Sequence, residues 1–186
     1  MLPYLFVLLA IAVRFLPFIG PLNFIPHAWG FTPIAASLLF FGAKRPRRQM
    51  WIPLVMLAVT DVILTKVVYA YVLSWDHFVT WAWYAPILLL GTTLRNNSGA
   101  VRVVLTALAS SVSFFLISNF ATWAAWPEMY PRSVGGLMAA YVAGIPFFPK
   151  AAEGDMFFTV AMFSVPVFMQ ALARWSDRSG DHIAAA

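Results

Sequence analysis

Long apolar runs separated by short polar breaks dominate the chain, with no alternation of apolar and polar residues at period two. Such runs predict helices rather than a barrel. Span one is expected from Leu2 to Ile19, with Arg14 inside it. A loop rich in Gly, Pro and aromatics covers Gly20 to Phe31, and span two is short, from Thr32 to Ala43. Span three runs from Met50 to Leu73 and carries Asp61 and Lys66. A tight turn, Ser74 to His77, leads into span four, Phe78 to Leu94. Span five is Val101 to Trp123, and the last span is Asp155 to Trp175. Between these two lies a segment broken by Pro127, Pro131, Pro146 and Pro149. Inside that segment, Ser133 to Ile145 reads as a short helix with small residues at Gly136, Ala140 and Gly144. That four-residue spacing lets helices approach closely, and Pro146 is expected to end it before it crosses.

The predicted architecture is an all-α membrane protein. It is a six-transmembrane-helix bundle with a short extra helix in the last outer segment. Residues 1–175 form a single transmembrane domain, and 176–186 form a frayed polar cytoplasmic tail. Composition agrees: 62% of the 186 residues are hydrophobic and 10% charged. Soluble domains carry roughly 25% charge. No basic n-region precedes the first apolar run, so it reads as a span rather than a signal peptide.

The basic residues set the expected orientation. With six spans and an internal N-terminus, the cytoplasmic side holds Lys44, Arg45, Arg47, Arg48, Arg95, Arg102, Arg174 and Arg178. The outer segments hold only Arg132 and Lys150. Both termini are therefore expected inside. The net charge of +5 is absorbed by this topology, and no nucleic-acid partner is expected.

Depth along the spans gathers polar residues in the outer half. Arg14 lies in the outer half of span one. Asp61 lies near the middle of span three, with Lys66 and Tyr69 above it. Asn119 and Trp123 lie near the outer end of span five, and Asp155 opens the last span. A charge at mid-membrane costs about 2.5–3.5 kcal/mol on insertion scales, so it normally faces the bundle interior and finds a partner. Asp61, Thr65 and Tyr69, four apart, share a helix face. Lys66 lies ~140° round from Asp61, which makes it a poor partner. Arg14 is the candidate partner, in a pair that either fixes helix register or serves a site. Lys66 either binds solute or snorkels to the interface. Asn119 and Trp123 either line a pocket or pack helices.

Enzymatic chemistry finds little support. The chain has no cysteine, no nucleophile elbow and no His-Glu-x-x-His motif. His27 and His77 have no second metal ligand at motif spacing, so neither a metal nor a cofactor is expected. Trp75, Trp81, Trp83, Trp126 and Tyr130 read first as an interfacial aromatic belt.

Two blocks carry a resemblance. One is Phe31 to Ala43 (FTPIAASLLFFGA). The other runs through Phe114 to Trp123 (FFLISNFATW), Met129 to Pro131, Gly136-Leu137, Tyr141 to Phe148 and Gly154-Asp155. Together with Thr60-Asp61, they resemble a family of small bacterial inner-membrane proteins. That family is in turn similar to the substrate-binding S-components of energy-coupling-factor vitamin importers. Gly30 stands where the family usually has Asn, and Ala140 where it often has Cys. The resemblance implies a six-helix protein of the bacterial cytoplasmic membrane that captures a vitamin-like or corrinoid solute from outside. An energising transporter module is a further implied partner, beside the lipid bilayer. In that reading Arg14, Asp61, Lys66, Tyr69, Asn119 and Asp155 orient polar groups, and Trp123, Tyr130 and Tyr141 offer stacking surface. The alternative is a non-transporting membrane scaffold whose buried charges only pack helices.

Overall fold

The computed structural model describes residues 1–18 and 32–184, without the side chains of Pro17, Asp76 and residues 177–184. The expected loop Gly20–Phe31, with His27, lies outside the described residues. Every described element is helical. In chain order these are α1 (Leu2–Phe15), α2 (Ile34–Lys44), α3 (Trp51–Ile63), α4 (Trp75–Gly91), α5 (Ala100–Ala125), α6 (Val134–Gly144) and α7 (Phe148–Ala184). The apolar runs thus become helices where expected. Three helical stretches are long and apolar enough to cross a membrane: Arg47–Val68, Ala100–Ala125 and Val134–Ser176. Leu2–Phe15 and Ile34–Lys44 are shorter apolar helices.

α2 is the hub. Every residue from Ala35 to Ala43 is buried. It approaches α4 at backbone distance, because glycine faces backbone on both sides. A Cβ on Gly42 would lie 2.0 Å from the Leu88 carbonyl oxygen, and one on Gly91 would lie 2.3 Å from that of Leu39. One apolar cluster joins Val7, Leu38, Phe41, Leu57, Tyr84 and Leu88. A second joins Phe6, Phe40, Leu94, Val103, Met162 and Phe163.

The basic residues hold one end of the bundle together. The Arg95 guanidinium donates to the carbonyl oxygens of Gly42 (3.0 Å) and Arg45. Gly42 lies in the last turn of α2, whose final carbonyls have no partner within the helix, and Arg45 is the extended residue that follows it. Arg45 lies 4.4 Å above the Tyr4 ring, and Tyr4 donates to Gln49 at 3.0 Å. Met1, the 44–49 loop and Arg95 therefore share one end, as the basic pattern requires.

Three expected boundaries change. Span three does not reach Leu73. After Ile63 the chain widens into a π-helical turn, Leu64–Val68. The turn closes with Tyr69 N–H on Leu64 O and Tyr71 N–H on Thr65 O, each at 2.8 Å. Ala70 then sits at φ 55°, a left-handed conformation that costs an alanine about 1–2 kcal/mol. The extra residue in the turn rotates Tyr69 off the face of Asp61 and Thr65. Those two are buried and Tyr69 is exposed.

The second change concerns Pro146. The chain stays helical through it, as a single 3₁₀ turn, Ile145–Phe147. Proline replaces only an N–H that the tighter turn leaves free at its start. α6 and α7 run together antiparallel to α5. Tyr141 meets Leu116, Phe148 meets Phe115 and Asp155 meets Ser111 in succession. Asp155 therefore does not open the last helix from outside; it lies opposite the middle of α5. Third, the backbone of α7 remains helical to Ala184, where a frayed tail is expected from residue 176.

Candidate functional site

Asp61 is the meeting point of three helices. α3 buries it to 6% exposure, and α1 brings Arg14 to it. Arg14 NH2 pairs with Asp61 Oδ1, the partnership expected from the sequence. α4 supplies two more donors: Trp81 Nε1 at 2.8 Å and the Tyr84 hydroxyl at 3.2 Å, both to Oδ2. Three donors and a full positive charge compensate this carboxylate. Its remaining capacity is small. The guanidinium is different: Arg14 NH1 is buried and has no hydrogen-bond partner among the described residues. An acceptor is what this nitrogen lacks, since a guanidinium only donates.

A polar path leads from the cluster toward the α3–α4 turn. Thr65, one turn beyond Asp61, lies 3.3 Å (Oγ1) from His77 Nε2. His77 Nδ1 in turn lies 3.2 Å from the Ser74 carbonyl oxygen. His77, Trp81 and Tyr84 fall at i, i+4 and i+7 of α4, which is one helix face. That spacing was the available signal for Trp81 and Tyr84. The aromatic-belt reading hid it for Trp81, and Tyr84 drew no attention. Ser111 and Thr159 were also missed, since hydroxyls in apolar helices carry no motif.

The other expected site residues lie elsewhere. Lys66 is exposed on the π-turn. Tyr69 is exposed and packs edge-on against Phe18, at 5.4 Å between ring centres, and stacks on Tyr71. Asn119 Nδ2 donates to the Phe115 carbonyl at 2.8 Å, and its side chain lies against Gly144, where a Cβ would come within 2.3 Å of it. Trp123 Nε1 donates to Pro131 O, and Tyr141 donates to Leu116 O, each at 3.0 Å. Tyr130, half-buried, sits in the turn between α5 and α6 with its N–H on Trp126 O. Asn119, Trp123 and Tyr141 thus tie α6 to α5, the close approach expected of the small-residue ribbon. Gly136 differs from the rest of that ribbon, since a Cβ there would meet the Pro131 carbonyl oxygen at 1.9 Å.

Asp155 is a separate centre. It is 8% exposed and accepts from Ser111 Oγ at 2.7 Å. No cationic side chain among the described residues pairs with it. The structure therefore brings Arg14 and Asp61 together and leaves Lys66, Tyr69, Asn119, Trp123, Tyr130, Tyr141 and Asp155 outside that cluster. A shallow apolar groove on α5 and α7, lined by Val104, Met156, Phe157, Val160 and Ala161, contains none of them. Among the described residues no cluster of three or more His, Cys, Asp or Glu side chains is placed to hold a metal ion.

No curated protein and no solved structure matches the chain. A family model matches residues 1–176, nearly its whole length. The chain belongs to that family, the family of unknown function DUF6580.

Proposed function

We propose that the protein is a six-span membrane protein that captures a small solute from outside at the Arg14–Asp61 cluster. The observation that carries this reading is the Arg14 NH1 donor, buried without an acceptor among the described residues beside a carboxylate that already accepts from three donors. Asp61 holds and orients the guanidinium; Arg14 meets the solute. Binding sites in membrane proteins commonly combine an apolar wall with a few placed polar groups. The turn above the cluster adds support. A π-turn and a left-handed alanine in succession are features that recur at functional sites.

In this reading the spans are α1, α2, α3 with its π-turn, α4, α5, and α6 continued into α7. The basic end faces the cytoplasm with both termini, in a bacterial inner membrane. The architecture is S-component-like and the solute vitamin-like, with an energising transporter module as partner. No catalytic role is assigned.

A second reading, a membrane scaffold without a solute, is favoured by one set of contacts. Asn119, Trp123 and Tyr141 are all committed to the α5–α6 hairpin. Native mass spectrometry of protein purified in mild detergent separates the two. The solute reading expects a copurified small molecule on the parent that is lost from Arg14→Gln. A parent protein that carries no solute, with Arg14→Gln behaving identically, leaves the scaffold reading in its place.

A further inference from the structure

Asp155 sits opposite the middle of α5, and its surroundings do not balance a negative charge. Its one hydrogen-bond donor among the described residues, Ser111 Oγ, lies 2.7 Å from the carboxylate and 3.1 Å from the Ala107 carbonyl oxygen. A hydroxyl owns one hydrogen. Two acceptors therefore face one donor in a dry interior. A buried ionised carboxylate with so little compensation is costly.

Thr159 makes a second, independent observation. It follows Asp155 by one turn on the same face of α7 and is fully buried, yet Thr159 Oγ1 has no partner among the described residues. Other helical threonines here bond back to the carbonyl four residues earlier: Thr60 to Met56, Thr106 to Arg102 and Thr122 to Ser118. Thr159 does not. On α5, Ser110 Oγ is likewise buried and without a partner among the described residues. The helices that bury this carboxylate thus carry two hydroxyls whose bonding is incomplete.

The charged groups of the packed helices lie elsewhere. On α2, Lys44 is exposed at the basic end, and on α5, Arg102 is exposed. α6 offers only Tyr141, which bonds Leu116 O. On α7, Lys150, Glu153 and Arg174 are exposed.

We infer that Asp155 is a monovalent-cation site, flanked by Ser111 and Thr159 and taken by a proton or a sodium ion. A proton on Asp155 donates to Ser111 Oγ and frees the Ser111 hydrogen for Ala107 O, so the carboxyl, the Ser111 hydroxyl and that carbonyl are all paired. A sodium ion is met by the carboxylate and by hydroxyl oxygens, the hard ligands such ions take. Either occupant neutralises the charge, and neither depends on the Arg14–Asp61 cluster.

Thermal unfolding of the full chain in detergent tests this, in sodium chloride against choline chloride at equal ionic strength, from mildly acidic to mildly alkaline pH. Ordinary aspartates of the unfolded chain are ionised in this range, so a cation held only by the folded state stabilises it. In choline, Tm falls as pH rises, because proton uptake on folding is lost. If sodium restores roughly 5 °C at the alkaline end, the occupant is sodium. If sodium restores nothing, and the infrared spectrum shows a protonated-carboxyl band that Asp155→Asn removes, it is a proton. Asp155→Asn is expected to lose both responses while Asp61→Asn keeps them. Thr159→Val, which removes the unpartnered oxygen, weakens the sodium response or shifts the carboxyl band. A parent Tm insensitive to sodium and pH, with no protonated-carboxyl band, overturns the site. So does an Asp155→Asn protein that responds as the parent does. Should Asp155→Asn fail to fold, the parent's responses and those of Thr159→Val decide.

Discussion

Asp61 and Asp155 are buried to nearly the same degree, 6% and 8% exposed, and are compensated in opposite ways. Asp61 draws a guanidinium from α1 and two aromatic donors from α4. Asp155 shares a single hydroxyl with a backbone carbonyl. The first is a finished electrostatic unit that joins α1, α3 and α4. The second leaves between α5 and α7 a carboxylate that no cationic side chain pairs among the described residues. Depth in an apolar chain therefore does not fix what a carboxylate does; the donor count around it does. In the solute reading, Asp61 serves by holding Arg14, while Asp155 serves by being neutralised from outside the chain.

The largest expected effect breaks the Asp61 unit. Asp61→Ala leaves the half-buried Arg14 unpaired, at a cost toward the lower end of the roughly 3–5 kcal/mol that a fully buried lone charge carries. Replacing both partners, Arg14→Leu with Asp61→Leu, removes the charge and its need together. That pair should recover most of the loss, to within about 1.5 kcal/mol of the parent. Chemical denaturation in mixed micelles measures both. A double variant as unstable as Asp61→Ala would mean that Asp61 contributes through Trp81 and Tyr84 rather than through the charge. A double variant that is stable but loses its copurified solute would separate binding from folding.

How much of this contrast was legible beforehand depends on the length scale of the signal. The helices, the basic end and the Arg14–Asp61 pair follow from apolar run length, charge placement and the cost of a lone membrane charge. Each of those acts over a whole span or permits one partner. Tyr69 was misplaced because one extra residue in a π-turn rotates everything after it, and no residue from Leu64 to Val68 announces that widening. Pro146 was read as a stop because proline ends α-helices, yet a proline at the start of a 3₁₀ turn costs no hydrogen bond. That difference moved Asp155 from the mouth of a helix to a place opposite the middle of α5. Depth alone put Asn119 at a pocket, and the family resemblance put Tyr141 there. Depth does not say which neighbour a side chain meets, and Gly144 opened the space that Asn119 fills.

A smaller effect compares isosteric substitutions at the two aspartates. Asn keeps the shape of Asp and removes its charge. Asp61→Asn strands the Arg14 cation against a neutral amide and should cost about 2–3 kcal/mol. Asp155→Asn strands no cationic side chain among the described residues and should stay within about 1 kcal/mol of the parent near neutral pH. The same denaturation series reads both. Equal losses at the two positions would erase the distinction drawn between the sites.

The smallest expected effect tests the donors themselves. Tyr84→Phe deletes one of three donors to Asp61, by way of its longest contact, 3.2 Å. A hydrogen bond to a charged acceptor contributes about 1.5–3 kcal/mol, and this one should fall near the lower bound. Ser111→Ala deletes the sole donor to Asp155. Next to a neutralised carboxyl it is an ordinary hydrogen bond, and its loss should cost about 1 kcal/mol. Next to a bare carboxylate it would be the only compensation, and the loss would exceed that of Tyr84→Phe. The order of these two small numbers therefore reports the charge on Asp155. Tyr84→Phe costing more than Ser111→Ala places a cation on Asp155, and the reverse order says that the carboxylate stands alone.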